Sequence, residues 1–441
     1  MSHLISIDEA RNGLLALAAR LAEDVKSADG RADALKRIVP IYVRKEQVDL
    51  AAELADTVND PFTRDRLLTQ VAEKCAVTND LDYALQLADA IEDVGIRGEA
   101  LERIAIGLAA SGEHEKALET SASLDHPDNV YAELALLAEA SGDAAKRDEM
   151  IGSIGFPAAK CAALGALATA RAKSGDKSGA VGFLEEAVAA AKQIDYETDE
   201  IRMLTDIGNL FSDAGRKDRA IETLDQARQI AERLDTVHRE YLLSAISLGF
   251  FNAGSMDLAD RALDLINDKT HIAATLLGFA RGFWERDETP DAYDALEEAW
   301  QILLSQHETE TRDSRAKFQL WRSIATQFAG FDKHERAIEA AGQLPDEGER
   351  AEALGEIAQI ATLQGETEFA DQAFRAVADD ARRMSTLVGM SDAALNRNEP
   401  EAAMKFLESA AELAETVPQL QLRSGAYNQI ARRFADRGAS E

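Results

Sequence analysis

Three kinds of residue in this sequence could do chemistry, and each fails on spacing. The stretch KSGDKSGA at 173–180 gathers lysine, serine and glycine as a phosphate-cradling loop would. It lacks the GxxxxGK spacing that turns successive backbone N–H groups and the lysine onto one phosphate chain. The seven histidines are scattered, and none stands in an HExxH pair or a Cys/His cluster able to hold zinc. His114 and His334 fall in expected turns, where a surface imidazole is the ordinary reading. Cys75 and Cys161 are the only cysteines, far apart and without metal or redox spacing, which suits a reduced cytoplasmic setting. No GxSxG elbow or EF-hand loop occurs. With 80 acids in the chain, neighbouring carboxylates are expected by chance, and no catalytic pair stands out. The expectation is a protein that is not an enzyme, with no catalytic residues, no metal ligands and no cofactor.

Net charge is the strongest bulk property: 48 basic against 80 acidic residues leave −32. Such a chain repels nucleic-acid phosphates and anionic membrane surfaces, so neither is an expected partner. No apolar run reaches the 18 or more residues of a membrane span, and the start MSHLISIDEARNGLL lacks a basic region followed by an apolar core. A protein or peptide partner, with a basic segment as one form, fits the charge better.

The elements that would position any site emerge from an internal period. Ala51, Ala84, Ala117, Ala180, Ala220, Ala259, Ala292, Ala337, Ala370 and Ala403 each follow a turn, and Arg147 stands at the same place once. Six of the ten steps between these anchors are 33 residues, the others 30, 40, 39 and 45. Twelve residues before each anchor comes a second column: Val39, Ala72, Ala105, Ala135, Ala168, Gly208, Ser247, Ala280, Ala325, Ala358 and Ser391. An apolar residue precedes every member, from Ile38 to Met390, and large rings recur three residues after it at Tyr42, Phe211, Phe250, Phe283 and Phe328. Small residues at matching heights let two helices approach closely. The larger ones fill the space between one hairpin and the next, so each hairpin is stable only within the array.

The spacing predicts an all-α chain of about eleven helix–turn–helix units. Residues 1–27 form an N-terminal capping helix, with the helix itself over 6–25. The array covers 28–418, and a lone capping helix follows at 419–441. Glycines in SGE, SGD, AGR, AGS and QGE mark the hairpin turns. Seven prolines, Pro61, Pro127, Pro157, Pro290, Pro345, Pro400 and Pro418, stand where helices should begin; Pro40 is expected to kink a first helix. The stretch 305–317 reads as an extended helix and loop.

These columns resemble the tetratricopeptide repeat (TPR) family, a helix–turn–helix of about 34 residues with a small residue in each helix. The likeness covers roughly residues 28 to 438; the family's tryptophan survives only as Trp321, and its closing proline only in some repeats. The longer steps are similar to bacterial and kinesin-light-chain-like versions. The resemblance implies a right-handed superhelix whose concave face, lined by first helices, binds an extended or helical peptide. It does not extend to the carboxylate-clamping subtype. Asn209 matches that pattern's inward asparagine, but Arg202 and Thr205 stand where its lysines would be.

Helical geometry places Arg202, Asn209, Tyr241, Phe251, Arg281, Trp284, Gln319 and Arg322 on the side of first helices facing away from the second. Early repeats place Glu73, Glu99, Glu102 and Glu139 there instead. Arginine and large aromatics supply area and directional donors at binding hot spots. The alternative is that Arg281 and Trp284 pack between repeats and the arginines pair with neighbouring acids. The expected function is a non-enzymatic adaptor or scaffold, or else a regulatory or accessory subunit of an enzyme assembly. Oligomeric state is left open.

Overall fold

Hairpin turns set the regularity of the chain, and one backbone position sets each turn. In the computed structural model, which describes residues 3–78, 80–307 and 315–416, the residue five before the anchor is left-handed at each of the ten described turns. Gly112, Gly142, Gly175, Gly215, Gly254 and Gly365 hold this place with φ of 78–90°. Lacking a Cβ, glycine enters this region without a steric clash. In four further turns the same place is held by Glu46, Asp287, Asp332 and Asn398, at φ 60–62°. A common bond closes both kinds of turn. The Ser255 N–H donates to the Phe250 carbonyl at 2.9 Å, Lys333 to Phe328 at 2.8 Å, and Gln47 to Tyr42 at 3.0 Å. Each bond satisfies a carbonyl orphaned at the helix end and reverses the chain.

Among the described residues there are 24 helices and no strand. Two short ones lead, α1 (Ile7–Asn12) and α2 (Leu14–Glu23). Eleven pairs of first and second helix follow: α3 (Ala28–Arg44) and α4 (Val48–Asp56), α5 (Pro61–Val77) and α6 (Leu81–Asp89), α7 (Val94–Ala110) and α8 (His114–Ser121). Then come α9 (Asp128–Ser141) and α10 (Ala144–Ser153), α11 (Pro157–Lys173) and α12 (Lys177–Ala191), α13 (Glu197–Asp213) and α14 (Lys217–Arg233). The series continues with α15 (Arg239–Asn252) and α16 (Met256–Leu263), α17 (Lys269–Glu285) and α18 (Thr289–His307), α19 (Arg315–Gly330) and α20 (His334–Gly342). It ends with α21 (Glu347–Gln364) and α22 (Thr367–Ala376), α23 (Asp380–Asn396) and α24 (Pro400–Thr416).

The chain divides into two compact units, Met1–Thr223 and Leu224–Glu441. In the first unit α3, α5, α7, α9, α11 and α13 pack side by side in that order. In the second, α15, α17, α19, α21 and α23 do the same. Every anchor alanine is at most 3% exposed. The second column is buried throughout, Val39 included. In α15/α16 the two columns touch: the Ser247 hydroxyl donates to the Ala259 carbonyl at 2.8 Å.

Two further side-chain columns brace several of the loops between hairpins. Asp65 accepts from the N–H groups of Glu92 and Asp93 at 3.2 and 3.0 Å, and Asp128 from Gly155 and Phe156 at 3.0 and 2.8 Å. Glu240 accepts from Asn267 and Asp268 at 2.7 and 3.2 Å. Each carboxylate thus neutralises the exposed donors where the following first helix starts. One residue before the acid's place in the register, arginines grip loop carbonyls: Arg31 on Val25, Arg97 on Ile91 and Arg350 on Leu344.

Two expectations need correction. The single N-terminal helix over 6–25 is two helices, because Gly13 is extended at φ −159°, ψ 132° and Ser6 caps α1 with a reciprocal Ser6–Glu9 box. His334 is not at the surface: it is 4% exposed and its ring lies 5.2 Å from Phe369. Pro40 lies inside helix α3, which runs on to Arg44. Of the other prolines, Pro61, Pro157 and Pro400 begin their helices, Pro290 is a second residue, and Pro127 caps α9. Pro345 lies just outside α21. Pro418, the capping helix at 419–441 and residues 308–314 lie outside the described residues.

Candidate binding faces on the first helices

In the first unit the acids expected to line a groove already have partners. Arg66 on α5 donates through one nitrogen to both carboxylate oxygens of Glu99 on α7, at 2.7 and 2.6 Å. Arg103 on α7 returns the contact to Glu73 on α5 at 3.2 Å and also holds Glu99 at 3.0 Å. Asn129 on α9 donates to Glu102 on α7. The arginine pairs lace α5 to α7 and spend the charge of Glu73 and Glu99 within the protein, while Glu102 meets an amide. Being half-exposed, each is worth little to stability, but together they compensate the acidic face.

The Arg147 exception has a structural cause. Arg147 and Glu139 are each only 12% exposed and pair at 2.8 Å. Arg171 on α11 also grips Glu139, and both guanidiniums lie over the Phe183 ring. Hydrogen bonds from Arg171 and then Arg147, against the opposing effect of burial, hold the Glu139 carboxyl below its ordinary range. A cation thus replaces the anchor methyl group because an acid has entered the neighbouring first helix.

Arg202 and Asn209 complete the first unit's candidates. Arg202 is exposed on α13 and pairs with Asp199 in its own helix at 3.1 Å. Asn209 is half-buried. Desolvation pushes the nearby Asp206 carboxyl up, with Arg202 acting in the opposite sense.

The second unit holds the other six. Phe251 does not line a surface: it is 2% exposed, stacked on Phe279 at 4.9 Å and covered by the Arg286 guanidinium at 4.3 Å. Gly282 on α17 makes room for this ring, since a methyl group there would overlap it. Tyr241 is 60% exposed, and Gln319 is exposed on α19. Trp284 is half-exposed and fixed in place, stacked on Phe331 at 4.4 Å, with the Tyr293 ring 5.9 Å away. The Tyr293 hydroxyl locks that arrangement by donating to the Phe331 carbonyl at 2.8 Å.

One helical turn before Trp284, Arg281 is exposed, and its Nε donates to the Gln327 side-chain oxygen at 2.8 Å. Among the described residues it has no carboxylate partner. Arg322 differs: it is 22% exposed and surrounded by Glu349, Glu352 and Glu356 of α21. Burial and the two flanking glutamates push Glu356 up, while Arg322 opposes them. Glu352, Glu356, Gln359, Arg382, Ser385 and Thr386 line a cavity of about 250 Å³ between α21 and α23. The register used for Gln319, carried one repeat further, selects Glu352, and two residues before the small column stands Glu356. Gln327 and Phe331 are fixed by tertiary contact alone.

Helix α17 therefore offers a cation and a rigid indole on one face, three residues apart. Among the described residues no group of three or more His, Cys, Asp or Glu could hold a metal ion, and no helix is long and apolar enough to cross a membrane. Burial pushes both thiols, Cys75 and Cys161, up to about 11, so neither is a ready nucleophile.

No protein-family model and no curated protein matches the chain. Among solved structures, human IFIT1 in a dimer with m7Gppp-AAAA is 16% identical, with 93% of this chain and 96% of that one covered at a TM-score of 0.32. A Rap protein complexed with competence and sporulation factor is 12% identical, with 91% and 100% covered and a TM-score of 0.29. A putative kinesin light chain of Podosopora anserina with TPR-like repeats is 14% identical, with 51% and 100% covered and a TM-score of 0.27.

Proposed function

From an all-α array of tetratricopeptide-like helical hairpins, we propose a non-enzymatic scaffold that holds a polypeptide segment on the first-helix face of its second unit. The observation that carries this reading is Arg281 beside Trp284. In a chain with 80 acids, an exposed arginine held by an amide alone is available to a carboxylate from outside. Trp284 is already immobilised by Phe331 and Tyr293, so binding costs little further ordering. The proposed segment lays an apolar or aromatic side chain on Trp284 and a carboxylate on Arg281. A basic stretch elsewhere in it follows the −32 field during encounter. The same field supports polypeptide over nucleic acid, and the two buried free thiols suit the cytoplasm.

A displayed peptide library selected on the full chain tests this. Selected peptides should lose about tenfold or more in affinity on Arg281→Glu with Trp284→Ala, and keep it on Arg103→Glu. Peptides insensitive to the first variant and lost on the second would refute the assignment.

A further inference from the structure

Helix α2, LLALAARLAE, is apolar on two sides. Ala19 and Ala22 are buried, and the helix packs on α1 and α3. On another side Leu14 is 87% exposed, Leu17 40% and Leu21 57%. Spacings of three and four residues align them as one stripe along the helix. A helix apolar all round is normally covered all round, and a contiguous exposed stripe marks an interaction surface.

We propose that this stripe packs against the same stripe of a second copy of the chain, the two α2 helices running antiparallel across a twofold axis. Local charge selects this occupant. The molecule carries −32, so most of its surfaces repel their own copies. Residues 1–27 hold four acids (Asp8, Glu9, Glu23, Asp24) against three bases (Arg11, Arg20, Lys26), nearly cancelling. Six of these seven charges are engaged locally: Asp24 with His3 at 2.7 Å, Arg20 with the Ile5 carbonyl, Glu23 with the Leu4 N–H, Glu9 with the Ser6 N–H, and Asp8 with Arg11 at 3.7 Å. Two copies can meet here without opposing like charges. A self-complementary contact then follows from the stripe's own symmetry. Leu14 meets Leu21 of the other copy, and the two Leu17 side chains lie beside the axis. A single-helix seam is well below the roughly 800 Å² per partner of a standard interface, so the dimer is weak and reversible.

Sedimentation velocity on the full chain, from about 1 µM to about 100 µM, reads this directly. The 47.8 kDa species should give way to twice that mass as concentration rises. Leu14→Glu with Leu21→Glu should remain monomeric throughout, with unchanged helical circular dichroism. Independently, the Leu17→Cys chain should cross-link to a covalent dimer under mild oxidation, since the native Cys75 and Cys161 are buried. A wild-type chain that stays monomeric overturns the proposal. So does a dimer that survives the double substitution. So too does a Leu17→Cys chain whose introduced thiol resists both cross-linking and alkylation, because its own chain then covers the stripe.

Discussion

The first-helix faces of the two units use the same residue types to opposite effect. In the first, Arg66, Arg103 and Arg171 are spent on Glu99, Glu73 and Glu139 of neighbouring first helices. In the second, Arg322 is spent likewise on α21, but Arg281 meets only an amide and stands beside a braced tryptophan. Charge composition therefore does not distinguish an uncompensated face from an internally paired one. What distinguishes them is whether an adjacent first helix, about 33 residues before or after, supplies the opposite charge at the same height.

The contrast is sharpest at Glu139. Glu139→Gln leaves Arg147 and Arg171 without their shared carboxylate, and Arg147 is only 12% exposed. The expected loss is about 2–3 kcal/mol in denaturant unfolding, just below the range for a fully buried pair because some water reaches this one. Its pH dependence is also fixed. The folded carboxyl titrates below its ordinary 4.5, so the stabilisation is complete above that value and disappears as pH falls through the lower folded one. The difference between wild type and Glu139→Gln should be flat from neutral pH to about 5 and shrink below about 4.5.

Next in size is the loop tie. Asp128→Ala strands the Gly155 and Phe156 N–H groups and should cost about 2 kcal/mol, read from the same unfolding curves. Glu240→Ala, the counterpart in the second unit, should cost less. Its side chain is 22% exposed, against 7% overall for Asp128, and water can replace it more readily. The smallest effect separates turn from face. Glu46→Gly relieves a left-handed non-glycine residue and should raise stability by about 0.5 kcal/mol after glycine's added chain entropy. A thermal melt reads it as a shift of a degree or two.

Much of the fold was legible because burial of a small side chain leaves a periodic mark. Ala51 and its equivalents, and the column from Val39 to Ser391, are buried as the spacing required. Turns at Glu46, Asp287, Asp332 and Asn398 were harder to see, since the closing backbone bond tolerates residues other than glycine. The break at Gly13 was missed because the apolar pattern runs through it. Asp65, Asp128 and Glu240 share one place in the register, but three acids among 80 carry no visible signal until their loop partners are known.

The face itself was only partly legible. Helical offsets identified Arg281, Trp284 and Arg322, but could not show that α21 neutralises Arg322 while Gln327 leaves Arg281 uncompensated. The same offsets placed Phe251 at the surface; the missing side chain of Gly282 lets its ring sink instead. Pairing across helices is a tertiary fact, invisible to the pattern of one helix.

Occupation of the second unit's first-helix face by a polypeptide segment is open to a single decisive readout. Hydrogen–deuterium exchange on the full chain, with and without a saturating selected peptide, provides it. New protection is expected in α17, α19 and α21, lost together with binding in Arg281→Glu with Trp284→Ala. Protection confined to α5, α7 and α9 would overturn this reading, placing the site on the face whose charges are already paired.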